Sequence, residues 1–203
     1  MKWLLKQGLY VAAGCLAGSS FSLVCFYLLL WPVPSRFEAD NRPKHDLLSN
    51  AKVGIVSMSI PIDERILVSE WNHALYAAKH GYKYWSRHEM PPECKQERVH
   101  FHKVELIAQV LSERQSEIDL LLWIDSDAIF INCQTSLRDV WQSAVRSYQS
   151  TLNEHDINVI LSGGFKAGLN SGVLLLRNCE WTRRVFMSRW LQFSRFFSEI
   201  RVV

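Results

Sequence analysis

The stretch 120-LLLWIDSDAIF-130 ends a run of large apolar residues in two carboxylates, Asp125 and Asp127, separated only by Ser126. It resumes at once with Ala128, Ile129 and Phe130. A buried carboxylate without a partner is costly, so such residues are exposed, paired or holding a cation. In an extended chain the side-chain period of two puts Asp125 and Asp127 on one side and Ser126 on the other. Two like charges on one side repel, and a divalent cation removes that penalty. Hard cations such as Mn²⁺ and Mg²⁺ prefer carboxylate, water and phosphate oxygens, and Mg²⁺ sites commonly use one or two carboxylates. A strand-end Asp-x-Asp therefore reads as a cation site completed by a diphosphate. The plainer alternative is that the aspartates brace a turn or cap a helix. A buried strand leading in and apolar residues leading out favour the cation.

On either side of this stretch, strand-like runs alternate with helical periods. Val53–Met58 is a buried-strand candidate. Trp71, Ala74, Leu75 and Ala78 recur at the spacing of one helical face, and Gly81 closes that helix. Tyr82–Trp85 reads as a second strand, Pro91-Pro92 as a loop, and Val104, Ile107, Ala108 and Leu111 as a second helical face. Ile118–Ile124 forms the third strand. Ser136-Leu137-Arg138-Asp139 resembles a capping box that opens a helix with Leu137, Val140, Trp141, Ala144 and Tyr148 on one face. Ile157–Leu161 and Val173–Leu176 are further strands, and Phe186, Trp190, Phe193 and Phe197 line a last amphipathic segment. The alternation predicts an α/β domain with a largely parallel sheet and helices on its faces. Ligands of such sheets sit outside the carboxyl ends of the strands. The aspartates fall at such an end.

A second informative stretch is 168-GLNSGVLLLRNCEW-181. Gly168 and Asn170-Ser171-Gly172 read as a small polar loop before a strand. Asparagine both donates and accepts hydrogen bonds, and glycine lets backbone approach a ligand closely. A plain β-turn is the alternative here, and Ser162-Gly163-Gly164 upstream reads simply as a turn.

The chain of 203 residues is 48% hydrophobic and 12% aromatic, which excludes a disordered polymer. A net charge of +3, evenly spread, excludes a nucleic-acid footprint. From Gly8 to Trp31 there is no charge, and no acidic residue precedes Glu38. That run suffices for a bilayer, which needs about 20 apolar residues. Lys2 and Lys6 before it keep the N-terminus cytoplasmic and send the rest across. A cleaved signal peptide is the alternative, but its apolar core is usually only ~7–15 residues. The expected organisation is a cytoplasmic tip and membrane anchor at 1–32, a stem at 33–50 and a catalytic domain at 51–203. Cys94, Cys133 and Cys179 lie beyond the anchor, so at most one disulfide can form among them.

Taken together, Trp123-Ile124-Asp125-Ser126-Asp127-Ala128-Ile129-Phe130, then Leu169-Asn170-Ser171-Gly172, then Arg177-Asn178-Cys179-Glu180-Trp181 resemble the hallmarks of glycosyltransferase family 34. That family contains yeast-type α-1,2-galactosyl- and α-1,6-mannosyltransferases and plant xyloglucan xylosyltransferases. Tyr76-Ala77-Ala78-Lys79-His80-Gly81-Tyr82 is similar to its "YAxxHGY" helix end, and Lys103 to its "WxK" helix, with Phe101 where the family has tryptophan. The resemblance implies a GT-A-type, Rossmann-like domain behind a single transmembrane helix, a type II protein of the Golgi membrane with its catalytic domain in the lumen. It further implies transfer of a hexose or pentose from a nucleotide sugar to a glycan acceptor, with retention of configuration. Asp125 and Asp127 would hold Mn²⁺ or Mg²⁺, Asp125 directly or through water and the ribose. Asn170 and Gly172 would line the donor sugar and acceptor side, and Val56, Ser57 and Tyr82 are positional expectations for the nucleotide. Family members take a further metal ligand from a histidine downstream of the LNSG stretch. No histidine follows His155 here, so the chain reads as a truncated member. His73, His80, His88, His100 and His102 read as surface or helix-packing residues. A membrane-anchored interaction protein or complex subunit of the same fold, catalytically inactive, is the rival reading, and assembly with itself or another subunit is left open. A DxDxT phosphohydrolase is a poorer fit, since Ile129 stands where threonine is needed.

Overall fold

A computed structural model of the chain describes residues 50–60, 64–89, 99–148, 157–163 and 169–199. The expected anchor, the stem up to residue 49, Pro91-Pro92 and Cys94 lie outside them. Among the described residues no helix is long and apolar enough to cross a membrane. The elements in chain order are β1 (Val53–Met58), α1 (Glu64–His80), β2 (Lys83–Arg87), α2 (Val99–Glu113), β3 (Leu120–Ile124) and α3 (Leu137–Tyr148). Then come β4 (Val159–Gly163), β5 (Leu169–Arg177), a π-helical turn (Thr182–Phe186) and α4 (Met187–Glu199).

The five strands form one sheet in the order β2-β1-β3-β5-β4. β2, β1 and β3 are parallel, whereas β5 is antiparallel to both β3 and β4. Four strands thus share one direction, and the sheet is mixed but mostly parallel. Both of its faces are covered, which is why β1 and β3 read as unbroken apolar runs rather than alternating ones. On one face Val53, Ile55, Leu120, Leu122 and Ile124 pack with Tyr76 and Ala77 of α1 and Leu137, Trp141 and Val145 of α3. On the other, Val56, Leu121, Trp123, Leu174 and Leu176 pack with Val104, Ile107 and Leu111 of α2 and Met187 of α4. The chain moves outward from β1 to β2 and then returns past it to β3. This reversal makes the carboxyl ends of β1 and β3 the topological switch point of the sheet, where ligands of such folds bind.

Local chemistry explains several boundaries. Gly81 ends α1 with φ +67, and Tyr82 N–H donates to Ala77 O at 2.8 Å, the closure that glycine permits after a helix. At α3, Ser136 N–H and Oγ–H donate to Asp139 Oδ2 at 3.2 and 2.7 Å, while Asp139 N–H donates back to Ser136 Oγ at 3.1 Å. This is the reciprocal capping box expected from the sequence.

Two helical faces differ from expectation. In α1, Trp71 is 68% exposed and Leu75 49% exposed, and Ala74 and Ala78 are exposed as well. The side turned inward is Ser69, His73, Tyr76 and Ala77. Polar residues are buried there because a neighbouring segment supplies their partners. In α3 the buried stripe is Leu137, Trp141 and Val145, with Val140 outward. Cys133 and Cys179 are both free thiols.

Candidate active site

β3 delivers Asp125 to this switch point, and a tight turn follows immediately. Ala128 N–H donates to Asp125 O at 3.0 Å, so residues 125–128 form a β-turn rather than a continued extended chain. The expectation that simple strand alternation sets both carboxylates on one side is corrected accordingly. The turn is real, and it presents two carboxylates at its first and third positions.

Their environments differ. Asp125 is partly buried, and its Oδ1 accepts the indole N–H of Trp123 at 2.7 Å, which strand alternation places on the same side. The Lys103 ammonium lies 3.7 Å from the same oxygen. Asp127 is exposed, and its carboxylate has no hydrogen-bond or ion-pair partner among the described residues.

β5 completes the arrangement. Because it runs antiparallel to β3, its first residues, not its last, meet the end of β3, and Asp125 N–H donates to Gly172 O at 2.8 Å. The LNSG residues therefore belong to the strand and are not a loop ahead of it. Pairing with β4 passes from Leu161↔Leu174 directly to Ser162↔Asn170, so the β4 register skips Ser171 to Val173. Such irregularities re-aim side chains and gather beside active sites. Here the skipped residues stay with β3. Lys103 Nζ donates to Ser171 Oγ at 2.9 Å and to Ser171 O at 3.2 Å, tying α2 to β5 over the Asp125 carboxylate.

Lys103 and Ser171 were not assigned a role from the sequence. One signal was present: Lys103 falls in line with Ile107 and Val110 on the buried side of α2. A lysine in an apolar stripe needs a partner for its charge.

The expected nucleotide residues fare unequally. Ser57 sits at the carboxyl end of β1, fully buried, with its Oγ lacking a partner among the described residues. Val56 packs in the core with α2, so its side chain is not available to a ligand. Tyr82 is also corrected. It precedes β2, at the opposite end of the sheet, where its hydroxyl accepts Leu137 N–H at 3.2 Å and its ring carries the Arg138 guanidinium at 5.3 Å. It anchors the start of α3. Asn170 lies in β5 opposite Ser162.

The RNCEW residues likewise lie at the far end. Asn178 Nδ2–H donates to Ile118 O at 3.1 Å and its Oδ1 accepts Arg183 at 2.7 Å, while the Cys179 thiol donates to Asn158 Oδ1 at 3.2 Å. They fasten the end of β5 to the start of β3.

Among the described residues no group of three or more His, Cys, Asp or Glu side chains converges on one point. Two carboxylates, one of them without a partner among the described residues, fit a hard cation that takes its remaining oxygens from water and a diphosphate. They do not fit a closed, all-protein metal cage.

The sequence profile of the galactosyl transferase GMA12/MNN10 family matches residues 54–201. The chain belongs to this family. Membership makes it a glycosyltransferase and implies nucleotide-sugar and glycan substrates. The family match covers all five strands of the sheet save Val53, the first residue of β1, and both informative stretches. Among solved structures, the chain resembles a glycosyltransferase involved in the glycosylation of the major capsid of PBCV-1. The TM-score is 0.51 at 18% identity, over 73% of this chain and 68% of that one. At that identity the likeness speaks to the fold. A second structure, A197 from STIV, aligns at a TM-score of 0.34 and 11% identity, over 68% of this chain and 67% of that one. No curated protein sequence matches the chain significantly.

Proposed function

We propose that the chain transfers a hexose or pentose from a nucleotide sugar to a glycan acceptor, with retention of configuration, using Mn²⁺ or Mg²⁺ held between Asp125, Asp127 and the donor diphosphate. The observation that carries this reading is the carboxylate of Asp127, left without a partner among the described residues in a turn whose first residue, Asp125, is fixed by Trp123 and Gly172.

When bound, the cation neutralises the charge that gathers on the leaving nucleotide diphosphate. Asp127 offers both of its oxygens. Asp125 has Oδ1 committed to Trp123, so its other oxygen faces the ligand directly or through water and the ribose. Lys103 offsets the charge of Asp125 and holds Ser171 beside it. Asn170 and Gly172 border the donor sugar and the acceptor side, and the main chain at Ser57, whose side chain is buried, borders the nucleotide. No protein nucleophile is assigned, and the acceptor hydroxyl attacks from the face that the diphosphate leaves.

Calorimetry of the detergent-solubilised full chain with UDP and GDP tests the reading. Binding of one of them should require Mn²⁺ or Mg²⁺, and Asp127→Asn should abolish it. Equal binding without metal overturns the cation role, and no binding with metal favours the inactive subunit. The charge-free run from Gly8 to Trp31 supports a single-pass Golgi anchor with a lumenal domain. Protease protection of residues 51–203 in sealed Golgi vesicles would bear this out, and digestion from outside would refute it.

A further inference from the structure

The segment that leaves the Asp125-Ser126-Asp127 turn, residues 128–135, belongs to no helix or strand, so its backbone groups on the side of α1 find partners outside any regular ladder. α1 supplies them from its inward face. Ser69 Oγ–H is shared between Ser126 O and the Ile66 carbonyl of its own helix, and His73 Nε2–H donates to Ala128 O at 2.7 Å. Asn72 brackets Phe130, donating to its carbonyl at 3.1 Å and accepting its N–H at 2.8 Å. Farther along, His80 Nε2–H donates to Cys133 O at 3.1 Å and Tyr76 O–H to Thr135 O at 2.7 Å.

Two of these bonds flank Asp127, one on each side. They come from helix residues four apart and reach carbonyls two apart. Ser69 and His73 lie one helical turn apart, so a single face of α1 holds the DSD turn on both sides of Asp127. The apolar contacts agree, since the Phe130 ring stacks on Tyr76 with centroids 3.7 Å apart and meets His73 edge-on at 5.8 Å.

We propose that Ser69 and His73 are positioning residues that set Asp127 at the distance a cation and diphosphate require. This rests on the metal–diphosphate reading above. Neither side chain touches the ligand. Both hold the carbonyls on either side of the residue that does, so loosening them lets Asp127 drift while the sheet stays folded.

Mn²⁺ titration of UDP and GDP binding by the full chain, read by calorimetry, tests the role. His73→Leu, which leaves Ala128 O without a donor, should raise the half-saturating Mn²⁺ concentration by ~10-fold, the scale seen when partners of metal ligands are removed. Ser69→Ala, the milder change, should move it in the same direction. His73→Gln, whose amide can donate from near the place of Nε2, should recover most of the loss. Tyr76→Phe removes a bond of the same kind at the far end of the segment, and should leave the half-saturation at the wild-type value even if the chain melts earlier. Hydrogen exchange at residues 126–130 should rise in Ser69→Ala and His73→Leu but not in Tyr76→Phe. An unchanged half-saturation in both Ser69→Ala and His73→Leu, or an equal shift in Tyr76→Phe, overturns the positioning role alone. Absence of Mn²⁺-dependent binding by the wild-type chain overturns the metal reading, and this role with it.

Discussion

The two ends of the sheet are built from similar residues and behave differently. At the start of β3, Asp119 N–H donates to Lys52 O at 2.7 Å, Asp119 Oδ2 accepts Lys52 N–H at 2.9 Å, and Asn178 joins Ile118, Asp119 and Arg183. The polar groups that close that end hold one another. At the finish of β3, Asp125 is held, but Asp127 one residue beyond its neighbour Ser126 has no partner among the described residues. A saturated cluster contributes to stability, whereas a carboxylate without a partner is, under the proposed function, left to a ligand. The contrast also divides the family motifs: DSD and LNSG belong to the open end, RNCEW to the closed one.

Substitutions should break this contrast in opposite ways. The largest effect is expected for Asp127→Asn, which should lower glycosyl transfer by ~100-fold or more, the scale of losing a charge-stabilising group. Its melting temperature should stay at the wild-type value, since nothing in the described fold depends on that carboxylate. Asn178→Ala should do the reverse. It leaves Ile118 O and the Arg183 guanidinium without their partner, so urea unfolding should show a loss of about 2–4 kcal/mol, with transfer per folded molecule unchanged. Gly54→Ala probes the closed end more gently. A Cβ there would meet the Trp85 ring at 2.5 Å, and overpacking of this kind costs about 1–3 kcal/mol.

The smallest effect is a pH slope. Burial lowers the pKa of His73 from 6.5, against weaker raising effects of its bond to Ala128 O and of Glu70. The unfolded chain therefore takes up a proton as pH falls through 6.5 while the folded one resists until lower pH. Its contribution to stability is complete above 6.5 and is lost as pH falls from there toward the folded value. The urea midpoint of His73→Gln should fall less than that of the wild type between neutral pH and pH ~5.

Much of the architecture was legible because it depends on local chemistry. β1 spans Val53–Met58 as the apolar run suggested, Gly81 has the positive φ its place after α1 demanded, and the Ser136–Asp139 box closes as its spacing required. The inward face of α1 was not legible. Its apolar residues Trp71 and Leu75 satisfy a helical period, but periodicity cannot say that Ser69, Asn72 and His73 have a waiting partner in residues 126–130. Tyr82 differs from expectation for a similar reason: the sequence sets it at the head of the second strand as a nucleotide residue, whereas the packing of α3 shows that it serves the opposite end of the sheet.

What the sequence determined by itself is the chemistry available: two carboxylates after a buried strand, a polar LNSG stretch before another, and the family they mark. What only the tertiary structure decided is their meeting. The antiparallel course of β5 lays Gly172 against Asp125, and Lys103 reaches Ser171 from a separate helix. Residue type and spacing act over a few positions, whereas strand direction is set by how the whole sheet buries its two faces.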